Sequence, residues 1–312
     1  MPLPLPALCR FSLSAWLVAW LVAGLLAAQA LPAQAQAGKL LLTGGVSSID
    51  GAAGGGLTPW AVTGSYATTG QVGATAFITA AKTQDYRLAS YGVALGLGER
   101  WELSLAHQDL DTGNNLAPLG LPGLHLKQDI LGIKLRLAGD AVLDSDRWMP
   151  QLAIGLLHKR SDAGALGPTL YGPLGARRSG TDVYASVTKL LLGPAVLLNA
   201  TLRATQANQG GLLGFGGAQG AGYRLQPELS VAKLLSPQWV LGGEYRAKPD
   251  NLYASVLGAG ALQEDDWFDL FLAWAPNKQL SITLAWVDLG RVAPALQPRR
   301  QTGAYASLQL AF

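Results

Sequence analysis

The chain has 312 residues and a formal net charge of +3, with 14% charged and 49% hydrophobic residues. Average globular domains have about 25% charged residues. The high hydrophobic content excludes an intrinsically disordered chain, and the small, scattered positive charge argues against a nucleic-acid partner. The 39 glycines and the few charges are instead typical of a closed β-sheet that faces lipid and has many turns.

Residues 1–37 have the pattern of a secretory signal peptide, and residues 38–312 form the predicted mature domain. Arg10 provides the positive flank, and Ala15 to Ala28 form an uninterrupted apolar run. This run is shorter than the roughly 20 residues that a membrane-spanning helix needs, but it suits a signal-peptide core. We therefore expect export from the cytoplasm.

The predicted cleavage follows the small-x-small motif Ala35-Gln36-Ala37, so the mature chain is expected to begin at Gly38. The same motif at 28–30 and at 33–35 offers two competing sites. Cys9 is the only cysteine and precedes the apolar run, whereas a lipid-attached cysteine would follow it. We therefore expect neither a lipid anchor nor a disulfide in the mature protein.

After residue 37, apolar residues alternate with polar or small ones along segments of about 10 to 13 residues. Clear examples are 101–106, 131–138, 196–205 and 280–287. Membrane-spanning strands need about 9–11 residues, whereas soluble strands most often have about 5–6. The pattern therefore predicts an all-β, transmembrane up-and-down antiparallel β-barrel rather than a soluble sandwich.

We predict about 14 strands, an even number as in bacterial barrels. They are 39–46, 59–67, 72–82, 86–97, 101–110, 126–137, 150–160, 182–192, 195–206, 223–235, 238–248, 266–275, 279–289 and 302–312. Counted back from the C-terminus, long and short connections alternate, which places the C-terminus and the short turns in the periplasm. The alternation is less regular at 138–149 and at 83–85. Twelve strands is the alternative, if 39–46 is a plug or linker.

Six tryptophans lie near predicted strand ends, as expected for the aromatic girdles of a membrane barrel. They are Trp60, Trp101, Trp239, Trp267, Trp274 and Trp286. The alternative is that these rings pack in a soluble core.

The last predicted strand ends in Phe312 and carries Leu308 and Leu310 on the same face. This strand resembles the C-terminal assembly signal of outer-membrane proteins, in which a final aromatic residue ends an alternating strand. The resemblance implies recognition by the barrel-assembly machinery and localisation in the outer membrane of a Gram-negative bacterium.

Three segments carry a family resemblance: 38–60, which includes a glycine-rich stretch, 126–129 and 138–144. They resemble a bacterial outer-membrane barrel family of unknown function, domain of unknown function 3034. The resemblance extends over essentially the whole predicted mature chain and implies an exported, barrel-like protein. The resemblance implies no particular activity and identifies no ligand-binding residues.

The sequence contains no motif for a cofactor or a metal. The glycine-rich stretches 51–56 and 210–220 lack the Lys-Ser/Thr pair of a phosphate-binding loop. Acidic residues at 140–146 and 264–266 do not complete an EF-hand, so solvated loop charge is the ordinary interpretation. We expect no cofactor.

The histidines offer the only candidates for catalysis. His107, His125 and His158 are far apart in sequence, and a hydrolase on the barrel rim would need them to converge with Asp109. A solvated rim is the commoner interpretation, so we predict that the protein is not an enzyme.

The predicted alternation turns eight charged side chains toward the lumen, because a charge that faces lipid costs about 2–4 kcal/mol at the midplane. They are Glu102, Lys134, Arg136, Asp182, Arg203, Glu228, Glu244 and Arg246. Both signs occur, which argues against a strongly anion- or cation-selective pore. The same charges could also pair into a network that closes the barrel.

Three functions stay open on the sequence alone. A lumen rich in Gly, Ala, Ser and Thr favours a porin-like channel or transporter for small solutes. The alternatives are a non-conducting structural or surface-binding barrel and a rim enzyme. The expected partners are outer-membrane lipid and lipopolysaccharide, whose phosphates could contact the arginine pairs 177–178 and 299–300. The oligomeric state is not indicated.

Overall fold

The computed structural model describes residues 41–141, 147–220 and 222–312. The predicted signal peptide, its cleavage site and Cys9 lie outside the described residues. The described chain is mostly β-structure, with a five-residue α-helix at Gly167–Tyr171. In these three ranges, no helix has the length and apolar character needed to cross a membrane.

The wall is a closed antiparallel barrel of twelve strands. In chain order they are β1 (Val72–Thr83), β2 (Arg87–Leu97), β3 (Trp101–Asp111), β4 (His125–Ala138), β5 (Gln151–Asp162), β6 (Ser179–Leu191), β7 (Val196–Thr205), β8 (Arg224–Ser236), β9 (Trp239–Arg246), β10 (Trp267–Trp274), β11 (Leu280–Asp288) and β12 (Thr302–Ala311). Each strand pairs with its neighbours in sequence, and β12 pairs with β1 to close the ring. Closure removes free strand edges, which a bilayer does not tolerate.

The two faces of the wall differ in polarity. The outer face exposes apolar side chains, among them Leu131, Ile133, Leu202, Val231, Leu270 and Leu284. The inner face buries polar ones, among them Glu102, Gln128, Lys134, Arg203 and Glu228. This distribution is the reverse of that in a soluble protein, and it assigns the outer face to lipid. The chain is an outer-membrane β-barrel.

Connection lengths differ between the two ends of the barrel. One end carries 84–86, 112–124, 163–178, 206–223, 247–266 and 289–301. The other end, beside the C-terminus, carries 98–100, 139–150, 192–195, 237–238 and 275–279. We call the first the external end and the second the periplasmic end, because outer-membrane barrels have long external loops and short periplasmic turns.

The structure has twelve wall strands, the alternative count, rather than 14. Of the predicted strand 39–46, the described residues 41–46 lie inside the barrel and not in the wall, and the same holds for 59–67. Apolar residues in these two stretches would face lipid in a wall strand. Instead, Leu42, Val46 and Trp60 pack in a core with inward-facing wall residues. An alternating pattern alone does not distinguish these two environments.

The tryptophans divide between the outer face and the lumen. At the periplasmic end Trp101 is exposed, and the rings of Trp239 and Trp274 stack with centroids 5.7 Å apart, as expected of an aromatic girdle. Trp60 and Trp267, however, are buried inside the barrel, so the girdle assignment was wrong for these two.

The C-terminal strand closes the barrel. The backbone N–H of Phe312 donates to the Ala74 carbonyl at 2.8 Å, and the Ala74 N–H donates to the Phe312 carbonyl at 2.9 Å. Leu308 and Leu310 are exposed on the outer face. Recognition of this strand by the assembly machinery stays a prediction.

We expect Leu270→Arg to lower the free energy of unfolding in lipid vesicles by about 2–4 kcal/mol, the cost of a charge at the bilayer midplane. Leu270 is 62% exposed near the middle of β10. Leu235→Arg, near the periplasmic end of β8, is the matched control and should cost about 0–1 kcal/mol. Equal costs for both variants in denaturant titrations would contradict the assignment of the outer face to lipid.

Candidate functional site

Residues 41–68, here called the plug, lie inside the barrel and fill its lumen. Residues 46–65 are buried without interruption. Two short strands, Val46–Ser47 and Ala53–Gly54, pair within the plug, and the turn between them carries Asp50. Asp50 is the only charged residue of the plug, and it is 2% exposed.

Three wall cations surround the Asp50 carboxylate. Lys159 Nζ lies 3.1 Å from Asp50 Oδ1, and Arg246 Nη2 lies 3.0 Å from Oδ2. Arg203 Nη1 lies 3.4 Å from the same Oδ2. The cations come from β5, β7 and β9, so one acidic side chain of the plug joins three strands of the wall.

Two wall acids complete this network. Asp182 on β6 lies 3.1 Å from Lys159 Nζ and 3.2 Å from Arg203 Nη1. Glu228 on β8 lies 2.6 Å from Arg203 Nε and 3.3 Å from Arg246 Nε. All of these side chains are buried, so their charges are compensated by contacts with one another rather than by water.

A second anchor joins β3 and β4 to the plug backbone. Lys134 Nζ lies 3.1 Å from Glu102 Oε1, and it donates to the carbonyls of Ala53 and Val62 at 2.8 and 2.9 Å. Glu102 accepts hydrogen bonds from the N–H groups of Ala53 (3.0 Å) and Gly64 (2.6 Å). Each member of this pair therefore also satisfies polar backbone groups that the plug could not leave unpaired in a buried site.

A third anchor depends on close packing at glycine. Glu244 on β9 accepts hydrogen bonds from the Leu57 N–H at 2.6 Å and from the Thr58 hydroxyl. A Cβ atom at Gly55 would lie 2.0 Å from Glu244 Oε1, and one at Gly56 would lie 1.9 Å from the Tyr305 hydroxyl. The glycine-rich stretch of the sequence thus lets the plug backbone approach the wall.

Hydroxyl and amide side chains hold the rest of the plug. Pro59 O accepts a hydrogen bond from the Thr201 hydroxyl at 2.8 Å, and the Trp60 indole N–H donates to Ser230 Oγ at 3.0 Å. The Ala61 N–H donates to Thr188 Oγ1 at 2.8 Å. These contacts are individually weak, since a neutral hydrogen bond contributes roughly 1 kcal/mol net.

External loops cover the lumen from the other side. Their apolar side chains form one cluster with the end of β4: Leu126, Ala163, Leu170, Leu174, Ala176, Leu212, Leu252, Leu262 and Ala293. Gly210 O accepts a hydrogen bond from Lys159 Nζ at 3.0 Å, so a loop also reaches the Asp50 network. Between loops, Arg291 hydrogen-bonds Asp265 at 2.8 Å and holds the pKa of that carboxyl below its ordinary value.

Of the eight charged residues predicted to face the lumen, seven are buried inside: Glu102, Lys134, Asp182, Arg203, Glu228, Glu244 and Arg246. Four of them, Asp182, Arg203, Glu228 and Arg246, form one network, and Glu102 pairs with Lys134. Arg136 stands apart at the periplasmic end of β4. It is partly buried and contacts Asp140 at 3.0 Å and Glu99 at 3.4 Å.

In the wall strands and the plug, sequence reasoning missed three buried charged residues: Asp50, Lys159 and Asp269. Lys159 follows the inward alternation of β5 through Leu157, so the pattern could have revealed it. Asp269 follows the alternation of β10 in the same way. Asp50 gave no such signal, because it lies in a glycine-rich stretch without a period.

Comparison of the sequence with models of protein families shows the family of the chain. The model of the family described as "Protein of unknown function (DUF3034)" matches residues 43–309. The chain belongs to DUF3034. The family resemblance seen in the sequence is thereby confirmed. Among curated proteins, no sequence matches the chain.

Solved structures similar to this DUF3034 chain include three membrane barrels. The KdgM porin in complex with disordered oligogalacturonate has 7% identity and a TM-score of 0.47, covering 76% of this chain and 99% of the porin. The NanC porin has 7% identity and a TM-score of 0.47, covering 77% and 99%. Outer membrane phospholipase A from Escherichia coli has 12% identity and a TM-score of 0.41, covering 76% and 92%.

The three histidines of the DUF3034 barrel lie on its outer face, toward the external end. His107 Nδ1 is 2.7 Å from Asp129 Oδ1, and His125 Nδ1 is 2.5 Å from Asp109 Oδ1. His158 Nδ1 is 3.0 Å from Thr181 Oγ1. Asp109 therefore partners His125 rather than His107. Within the described ranges, the two histidines that contact a carboxylate form no hydrogen bond with a side-chain hydroxyl group.

The acidic loop residues of the DUF3034 barrel are engaged in pairs. Glu264 pairs with Lys248 at 2.9 Å, Asp265 pairs with Arg291, and Asp266 accepts a hydrogen bond from Tyr245 at 2.7 Å. No group of three or more His, Cys, Asp or Glu residues in the part of the chain that the structure describes could hold a metal ion. Residues 142–146, with two of the predicted loop acids, lie outside that part.

Proposed function

We propose that this protein is a transport barrel for small solutes and that the plug closes its lumen in the state described. The observation that supports this proposal is that the plug, rather than wall side chains alone, occupies the lumen. The plug is not part of the wall and is held to it by noncovalent contacts. Ionisable residues at membrane depth are expensive, and here they are concentrated where the plug meets the wall.

The size of the barrel agrees with a solute path. Barrels of about 8 strands can fill their interior with side chains, whereas those with about 16–18 leave an aqueous channel. A barrel of twelve strands lies between these classes, and here the plug supplies the filling. Displacing residues 41–68 would uncover a lumen lined by hydroxyl, amide and charged side chains, among them Thr188, Thr201 and Ser230.

We further propose that the protein is not an enzyme. A hydrolase of the serine type needs a nucleophile, a base and an orienting acid in one continuous chain of contacts. In this barrel the base–acid contacts belong to His107 and His125, and the base–hydroxyl contact belongs to His158. In the described part of the chain, no one of these histidines therefore contacts both an orienting carboxylate and a hydroxyl nucleophile.

The plug as a gate is tested by Gly55→Leu. A side chain at this position would displace the Glu244 carboxylate from its hydrogen bonds with Leu57 and Thr58, and leaving buried polar groups unpaired in this way costs about 1–3 kcal/mol. If that cost falls on the closed state, the ratio of open to closed barrels should rise by roughly 5–150-fold. The measurement is the open probability of single channels in planar bilayers.

Gly193→Leu is the matched control, because Gly193 lies in a periplasmic turn and a Cβ atom there meets nothing within 4 Å. Its open probability should equal that of the wild type. The plug is not the gate if Gly55→Leu folds, inserts and remains as silent as the control.

A further inference from the structure

We propose that Lys159, Arg203 and Arg246 form a binding site for the carboxylate group of a small solute, and that Asp50 occupies this site as an internal competitor while the lumen is closed. The inference rests on the proposed function, because a solute reaches these cations only when the plug moves. It adds to that function a chemical class of solute and a location for its binding.

Wall acids contact each of the three cations independently of Asp50, and Arg246 Nη1 also donates to the Leu57 carbonyl of the plug at 3.2 Å. Arg203 donates to Glu228 through Nε at 2.6 Å and through Nη2 at 3.3 Å, and Nη1 lies 3.2 Å from Asp182. Lys159 contacts Asp182, and Arg246 contacts Glu228. The cationic groups are therefore oriented before a ligand arrives, and preorganisation of this kind favours affinity.

Without Asp50, the positively charged side chains in this site outnumber the negatively charged side chains that contact them. Three cations face two wall acids, Asp182 and Glu228, and Asp50 supplies the third negative charge. Glu244 forms no ion pair in the described part of the chain and contacts the plug at Leu57 and Thr58 instead. When Asp50 leaves, one buried positive charge is uncompensated, and a solute anion can replace the lost carboxylate.

The geometry favours a carboxylate as that anion. Lys159 contacts Asp50 Oδ1, and the two arginines contact Oδ2. The three cations therefore surround a group that has two acceptor oxygens, as a carboxylate does. Aromatic rings flank it: the Arg203 guanidinium lies 5.7 Å from the Tyr184 ring centroid, and that of Arg246 lies 5.5 Å from the Trp267 centroid. The body of the solute would lie between these rings.

The test uses acetate, which reproduces the Asp50 side chain, and acetamide, its neutral analogue. The full chain with Asp50→Ala is purified in detergent micelles, and its Tm is measured at constant ionic strength with chloride as the balancing anion. Acetate at 100 mM should raise the Tm of this variant on the order of 3 °C or more, because a ligand that binds only the folded state stabilises it. Acetamide should not raise it.

Two controls make the shift specific. The wild type should show no comparable shift, since Asp50 already fills the site. Asp85→Ala removes a carboxylate that contacts Arg299, an exposed cation, and acetate should not stabilise it either. If Asp50→Ala does not fold, Asp50→Asn keeps the side-chain shape without the charge, and acetate should protect it more than the wild type.

The outcomes separate this inference from the proposed function. An equal acetate shift in the Asp50 variants, the wild type and Asp85→Ala would overturn the carboxylate site, even if Gly55→Leu conducts. A specific shift in the Asp50 variants supports the site, whereas a silent Gly55→Leu barrel would independently overturn transport through the lumen.

Discussion

Oxidation of a Thr58→Cys/Ser230→Cys double variant should abolish conduction through the barrel, to the level of a protein-free bilayer. Thr58 lies on the plug and Ser230 on β8, and their hydroxyl oxygens are 2.6 Å apart, so the two cysteines would be close enough to form a disulfide. The only native cysteine, Cys9, lies in the predicted signal peptide and would not compete. A covalent link between plug and wall prevents the movement that the gate requires.

The reduced form of the same variant is the control for this experiment. It carries both substitutions but leaves the plug free, so reduction should return conduction to the level of the wild type or above. The measurement is repeated in the Gly55→Leu background, where openings are expected to be frequent. Openings that persist after complete disulfide formation would place the solute path elsewhere than the plug.

Arg203→Met should lower the free energy of unfolding by about 3–5 kcal/mol, the cost of breaking a buried ion-pair network by removal of one partner. Arg203 is 1% exposed and contacts three acids: Asp50, Asp182 and Glu228. Methionine fills a similar volume but leaves these carboxylates with fewer cations. Denaturant titrations followed by tryptophan fluorescence measure the change.

Arg299→Met is the comparison for this substitution. Arg299 also pairs with a carboxylate, that of Asp85, but the pair is at the exposed external end, where water and salt screen it. Its removal should leave the free energy of unfolding close to that of the wild type. Similar losses for Arg203 and Arg299 would mean that burial does not strengthen the lumenal network.

The wall of the barrel was predictable from the sequence because lipid imposes a period of two on every strand. The segment Leu131–Leu137 shows this most clearly: its apolar residues are exposed to lipid, and Lys134 between them faces inward. In the structure, Glu102, Arg203 and Glu228 lie in the same alternation and are buried on the inner face. The charge and hydrophobicity of neighbouring residues were sufficient to predict which side of the wall each side chain faces.

The plug was not predictable in the same way. Leu42, Val46, Trp60 and Val62 have the apolar character of lipid-facing residues, yet they pack inside against the wall. The contacts of Asp50 are long-range, with a sequence separation of 109 positions from Lys159 and 153 from Arg203. A local sequence pattern contains no information about partners at such distances. The sequence therefore predicted individual inward-facing charged residues but not the contacts between them.

The position of the plug in the chain constrains how the barrel is made. The plug immediately precedes β1, and β1 is one side of the seam that β12 closes. All three cationic partners of Asp50 follow it in the chain, and Arg246 on β9 is the last of them. The full set of partners therefore meets only when the sheet is complete as far as β9. The folding sheet must curl around the segment that precedes β1 before the seam forms, or receive that segment through an open end afterwards.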